Sequence, residues 1–389
     1  MFKKKTELNL KAVVVYALLL NSGAALLWPL VTVYMHNYLH KSLTLAGMVL
    51  LVMSLAMMVG NYCGGYLYDK WSPYKIAIVS ALISTIGILV LIFLHSWPIF
   101  GIMLIFVGFG DGACMTLLNS YAATIRSRPN RVVFNILYIG TNLGVVIGTL
   151  LVGFLMAHGI AIVFSAALVF YIALLLITIF AFNIEVPRGS DNNPTPNKPV
   201  AKHSMNKTVL LICLLILAVY LAYTLWESVI SVHMTQLGIS FEKYSILWTL
   251  NGLMIVIGQP LVNRIGERFK LSNQVYVGIF VFAISFLGLI VATKYSTFVV
   301  VMIITTLGEM IGLPGIPAWI DNLSEPAERG RYQGMYNIFI SLGRAIGPLY
   351  GGAVIEYASY KVLFGSAAGL IIFFLILLIL KNRTKKATD

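Results

Sequence analysis

The run TTLGEMIGLPGIPAWID, Thr305 to Asp321, lies in an apolar stretch long enough to cross a bilayer, yet it carries a carboxylate, Glu309, near its middle. A charge at that depth costs roughly 2.5–3.5 kcal/mol on insertion scales. Its presence therefore points to use, and Glu309 is predicted to take up and release protons. Gly308, Gly312, Pro314, Gly315 and Pro317 surround it. Glycines let neighbouring helices approach closely, and prolines bend a backbone whose freed groups find partners nearby.

Outward from this run the same pattern recurs. The 389 residues are 59% hydrophobic and 11% charged, with a mean hydropathy of +0.89. A soluble domain carries about 25% charged residues, so little of the chain is left for one. Apolar runs at 12–35, 44–68, 74–95, 98–124, 132–158, 160–184, 208–233, 243–265, 272–294, 296–321, 332–356 and 361–381 predict twelve transmembrane helices. The acids are too few for the polar lumen of a barrel. The start, MFKKKTELNLK, has a basic flank, but its apolar run continues past Tyr34 without a small-residue cleavage site and reads as the first span.

One long connection, EVPRGSDNNPTPNKPVAKHSMNK at 185–207, is rich in Pro, Asn, Ser and Lys and reads as a flexible linker. The predicted organisation is a six-helix bundle at 1–184, the linker, and a second bundle at 208–389. Cations cluster on one side of the spans: Lys3 to Lys5, Lys70, Lys75, Arg126, Arg128, Arg131, the linker, Arg264, Arg268, Lys270, Arg329, Arg331 and the C-terminal Lys and Arg. The other side has Lys41, Lys243, Lys294 and Lys361. By the positive-inside rule both termini are expected in the cytoplasm, with the chain in the plasma membrane. The net charge of +13 is thereby topogenic, and no nucleic-acid partner is expected. Cys63, Cys114 and Cys213 are scattered through apolar runs without metal spacing, so neither a disulfide framework nor a metal site is expected.

The two halves repeat. At an offset of 198, Trp28 aligns with Trp226, Gly110 with Gly308, and Asp111 with Glu309. At 199, Gly144 aligns with Gly343, Gly148 with Gly347, and Gly153 with Gly352. Near-constant offsets argue for a duplicated six-helix unit, its copies related about an axis normal to the membrane.

Residues 64–75, GGYLYDKWSPYK, place Gly65, Asp69, Lys70 and Lys75 at the cytoplasmic end of span 2, where an acid can face a neighbouring helix N-terminus. The stretch is similar to the loop 2–3 signature of the major facilitator superfamily, G-x-x-x-D-[RK]-x-G-R-[RK], with Ser72 and Pro73 at the family's glycine and arginine. Gly258, Asn263 and Arg264 look like a worn copy in the other half. The resemblance implies that Asp69 is a conformational latch against span 11. That span reads SLGRAIGPLYGG at 341–352; Gly343, Gly347 and Pro348 favour close packing and a bend. Its G-x-x-x-G-P-x-x-G-G run resembles the antiporter signature of facilitator exporters, normally found in span 5. Span 5 holds Gly144 and Gly148, but Thr149 stands at the proline position and Val152 at one glycine.

A finer resemblance is to LmrP-like multidrug exporters of Gram-positive bacteria, in the twelve-helix drug:H+ antiporter group. It rests on TLGE before Pro314, on Arg329-Gly330, and on Trp226-Glu227 before Val232-His233. Glu227 stands at an aspartate position of that group. The group's span-5 acid has no counterpart, and Asp111 one span earlier is its substitute; Leu104 replaces an arginine common in span 4 of drug exporters.

The membrane interior thus holds Asp111, Glu227, Glu309 and Arg344, and an ion pair between Arg344 and one carboxylate would lower the burial cost. Glu309 and secondarily Asp111 are expected to couple protons. Glu227 is the expected counter-charge for a cationic substrate, and Arg344 is a further candidate substrate-binding residue. Trp28, Tyr34, Tyr223 and Trp226, with Trp248 and Trp319, are candidate lining aromatics. The mid-span amides Asn119 and Asn142, with Asn21 and Asn337, are candidate pathway groups, and His36, His40 and His233 are expected at the solvated outer surface. No nucleophile–base pair or phosphate-cradling loop is present, so the expected protein is not an enzyme and needs no cofactor beyond a proton gradient. It is read as a monomeric carrier that exports amphipathic or cationic compounds in exchange for protons. The alternative is proton-coupled transport of one metabolite, a sugar or a lipid-linked glycan.

Overall fold

The computed structural model describes residues 8–128, 130–184, 207–266, 268–324 and 329–388, and among these there are helices and no strand. The helices are α1 (Leu10–Val33), α2 (Leu43–Lys70), α3 (Pro73–Phe93), α4 (Ile99–Ala123), α5 (Asn130–Leu155), α6 (Ile160–Ala181), α7 (Lys207–Glu227), α8 (Val229–Gln236), α9 (Phe241–Gly266), α10 (Leu271–Leu289), α11 (Tyr295–Gly312), α12 (Gly315–Asn322), α13 (Arg329–Tyr357) and α14 (Tyr360–Thr388). Within the described residues, twelve helical segments are long and apolar enough to cross a membrane. They coincide with the twelve runs read from the sequence to within a few residues, except over 132–158, where the segment that qualifies is Ile139–His158.

Their ends follow local chemistry. Ser72 is extended and Pro73 opens α3, where a missing N–H costs nothing. Gly238, with φ of +76°, follows α8 and takes the left-handed conformation that ends helices. Two spans are interrupted. Span 10 breaks between Gly312 and Gly315, because Pro314 has no N–H to continue the ladder. Span 7 breaks at Ser228, with φ −113° and ψ −69°. There the hydroxyls of Ser228 and Ser231 donate back to the carbonyls of Thr224 (2.6 Å) and Ser228 (2.7 Å), a pattern that bends helices. The expected bend at Pro348 produces no interruption: α13 runs through it.

Contacts gather the chain into two units, one joining Met1–Leu27 with Val52–Met205, the other Trp28–Leu51 with Asn206–Asp389. The end of α1, the start of α2 and their connecting turn thus pack with the second unit. In that unit the Glu356 carboxylate, at the end of α13, accepts from the Thr44 backbone N–H (2.9 Å) and hydroxyl (2.7 Å) at the start of α2. Gly47 lies against the carbonyl of Pro348.

The internal repeat is visible in matched contacts. A β-carbon at Gly144 would lie 2.5 Å from the Leu18 carbonyl oxygen, and one at Gly343 would lie 2.6 Å from that of Leu217. Gly148 meets Ser22 and Gly347 meets Leu221 in the same way, so each contact pair is displaced by 199 in both partners. Gly110 rests on Ser80 and Ser84, and Gly308 on Gly278 and Phe282, displaced by 198 in both. The glycines let α5 seat on α1 and α13 seat on α7 with backbones nearly touching.

Candidate functional site

Both interrupted spans carry an acid at the break. Glu227 is the last residue of α7, and Glu309 lies in the last turn of α11, where its carbonyl accepts from the Leu313 N–H at 3.0 Å. Interrupted helices near the middle of a membrane commonly mark ligand sites in transporters.

The break at Ser228 is held from the side. The Tyr244 hydroxyl donates to the Trp226 carbonyl at 2.6 Å, satisfying one of the terminal groups of α7. Trp248 Nε1 donates in turn to the Tyr244 hydroxyl at 2.9 Å. The Trp248 ring meets Tyr223 edge-on with centroids 5.9 Å apart, and Tyr223 stacks on Phe282 at 6.4 Å. An aromatic wall from α7, α9 and α10 therefore lies beside the acids.

Across from Glu227 stands Arg344 on α13, with Nη2 4.0 Å from Glu227 Oε1. A carboxylate at a helix C-terminus faces the negative end of the helix dipole, and the guanidinium supplies the compensating charge. The Arg344 guanidinium carbon is 5.3 Å from the Tyr220 ring centroid and 5.9 Å from that of Tyr223, within cation–π range. The pair is not sealed: 41% of the Arg344 side chain and 21% of the Glu227 side chain stay accessible.

Glu309 is held by neutral donors. Asn251 Nδ2 of α9 donates to Glu309 Oε2 at 3.1 Å and to the Thr306 hydroxyl at 2.9 Å, and the Tyr223 hydroxyl also faces the carboxyl. The structure thus gathers Glu227, Glu309, Arg344 and Tyr223 into one cluster and adds Asn251, Tyr220 and Thr306, which the sequence reading passed over. Asn251 had the same signal as the amides singled out, a lone polar side chain mid-span.

Asp111 lies elsewhere, in the other unit. It is 4% exposed between α3, α4 and α6, accepting from Ser84 Oγ and the Tyr171 hydroxyl, both at 2.8 Å. The remaining predicted site residues scatter. Trp226 and Tyr34 are buried, Trp28 is half-buried, Asn119 is exposed on α4, and Asn142 is half-buried on α5. Lys75 and Lys70 are exposed, and Lys70 Nζ donates to the Tyr66 hydroxyl at 2.7 Å. Gly65 packs on Thr116; the side chain of Asp69 lies outside the described residues. His233, expected in solvent, instead stacks on Tyr360 with centroids 4.0 Å apart. Among the described residues no three His, Cys, Asp or Glu group together as metal ligands.

The model of the major facilitator superfamily matches the chain at residues 13–233 and again at 212–389. The chain belongs to that superfamily. It is 34% identical over 357 residues to the uncharacterized MFS-type transporter YttB of Bacillus subtilis, covering 91% of this chain and 90% of that one. Over a shorter stretch of 153 residues it is 28% identical to the multidrug resistance protein MdtH of Aeromonas salmonicida, covering 38% of each. Among solved structures, that of the nucleoside transporter NupG superposes with a TM-score of 0.80 at 14% identity, covering 95% of this chain and 98% of that one. As a superfamily member the chain is a multi-pass membrane transporter. The twelve helices and the duplicated halves are the architecture such a carrier needs.

Proposed function

We propose that this transporter is a proton-coupled antiporter of the plasma membrane, with both termini in the cytoplasm, that exports amphipathic and cationic compounds. The observation that carries the reading is the cluster at the two helix breaks. There one acid, Glu227, has a cationic partner, while a second, Glu309, has only neutral donors. With the nearby Arg344 balanced by Glu227, a second ionised carboxylate leaves the cluster one net negative charge, which is costlier to bury than the protonated form. A proton on Glu309 therefore favours the closed, water-poor arrangement, and its loss favours the open one, which ties occupancy to conformation. Glu227 keeps 21% of its side chain accessible, so a cationic substrate competes there with Arg344. Asp111 takes second place in proton coupling, because both its oxygens already accept from hydroxyls.

The multidrug resistance protein among the relatives, and the resemblance of spans 7 and 10 to LmrP-like exporters, support this direction of transport. The test is export of a cationic dye by energised vesicles under an imposed pH gradient. Glu309→Gln is expected to abolish gradient-driven export while preserving gradient-independent exchange. Full retention of gradient-driven export would overturn the assignment. Saturable transport of one sugar or glycan, with no movement of unrelated cations, would replace export by the metabolite reading.

A further inference from the structure

The proposal rests on the transport reading and goes on to the chemistry of the cargo. We infer that Arg344 is the receptor for a carboxylate on the transported compound, and that the cluster is built for aromatic zwitterions. On this assignment the carboxylate docks on Arg344, the ammonium on Glu227, and the ring against Tyr223 and Trp248.

Arg344 has unmet hydrogen-bonding capacity. A guanidinium has five N–H donors in a planar fork. In Arg344, Nε is buried and has no hydrogen-bond partner, and the nearest acid oxygen, at 4.0 Å, is beyond hydrogen-bond range. The attraction to Glu227 is therefore Coulombic only, and the fork stays available. Buried donors left unpaired are costly, more so when charged, so a group that completes the fork is favoured there. A carboxylate does so with two parallel bonds.

Position and access agree with this. The Tyr220 and Tyr223 rings, with centroids 5.3 and 5.9 Å from the guanidinium carbon, help hold it in place. Its side chain nonetheless keeps 41% of its surface accessible, so there is a way in. The protein's own acids leave the fork free: Glu309 accepts from Asn251, and Glu227 stops at 4.0 Å.

Charge balance then selects zwitterions. A carboxylate alone would take the cation from Glu227 and strand that acid beside the end of α7. An ammonium alone would take Glu227 from Arg344 and strand the guanidinium. A compound with both groups exchanges one ion pair for two and leaves neither residue unmatched.

The test uses the full chain in proteoliposomes with an imposed pH gradient and three probes. They are ethidium, the fluorescent zwitterion Nε-dansyl-lysine, and its methyl ester, which keeps the amine and ring but lacks the carboxylate. Binding is read separately in detergent by quenching of tryptophan fluorescence. Wild type is expected to bind dansyl-lysine at least tenfold more tightly than the ester. Arg344→Gln is expected to erase that preference by weakening dansyl-lysine binding at least tenfold while the ester, freed of competition for Glu227, binds no more weakly than to wild type, and Arg344→Lys, which keeps charge without the fork, to fall between. Equal binding of acid and ester by wild type, or equal loss of both in Arg344→Lys, would overturn the assignment. Gradient-driven ethidium export without acid preference sinks this inference and spares the transport reading; movement of none of the probes sinks both.

Discussion

Asp111 and Glu309 occupy the same position in two repeats of one structural unit, yet they face different elements of it. Each follows a glycine that seats its helix on the preceding one, Gly110 on Ser80 and Ser84, Gly308 on Gly278 and Phe282. The difference lies in two neighbours. In the first half the residue on α3 is Ser84, a donor, and the residue on α2 is Met53. At the equivalent positions, 198 further on, stand Phe282 and Asn251. The donor has moved from one flank to the other. Asp111 therefore turns toward α3 and α6 and is closed in by hydroxyls, whereas Glu309 turns toward α9 and α7, beside Arg344 and Glu227. Duplication supplied two acids, and a swap of donor and hydrophobe gave them different surroundings.

The sharpest way to break this comparison is to neutralise each acid without changing its shape. Glu309→Gln is expected to lower gradient-driven export at least tenfold. Asp111→Asn, compared per folded molecule, is expected to keep more than half of it. Equal losses would mean that the two surroundings are functionally alike.

Stability is expected to show the reverse order. Asp111→Ala strands the buried Tyr171 hydroxyl, at about 1–3 kcal/mol when unpaired, while Ser84 falls back on the Val107 carbonyl at 3.3 Å. Its melting temperature in detergent is expected to fall below that of Glu309→Ala, whose amide neighbour keeps Thr306 as a partner. A matching melting temperature for the two variants would count against the sealed cluster.

A smaller effect separates the two glycines. A β-carbon at Gly308 would lie 2.5 Å from the Phe282 backbone nitrogen, whereas at Gly110 the nearest backbone atoms, the Ser80 carbonyl oxygen and the Ser84 nitrogen, are 2.9 Å away and the closer atom is the Ser84 hydroxyl. Gly308→Ala is expected to cost about 1–3 kcal/mol, as overpacking does, and Gly110→Ala less, read as folded yield and melting temperature. Smallest is Ser84→Ala, which removes one of two donors to Asp111 and is expected to cost about 1 kcal/mol with no change in export.

The spans were legible because twenty consecutive apolar residues have few meanings, and the repeat because glycines must recur wherever backbones touch. Glu309 was legible because a lone carboxylate in such a run is rare. What could not be read was direction. The partner of Arg344 depends on how α13 crosses α7, and the closure of Asp111 depends on Tyr171, sixty residues away on α6. The break at Ser228 leaves a fainter mark than Pro314: it shows only as hydroxyl residues at 224, 228 and 231, a spacing equally suited to ordinary packing.

The bond between Glu356 and Thr44 has a consequence for mobility. An acid encoded near the end of the chain caps a helix encoded near its beginning, so a catch between distant segments is made from the weakest unit of helix chemistry. A cap of this kind is worth roughly 0.5–2 kcal/mol, and less where water reaches it, as it does here. A bond of that strength biases an equilibrium in which only one state makes it by about two- to thirtyfold, too little to lock the second unit in one arrangement.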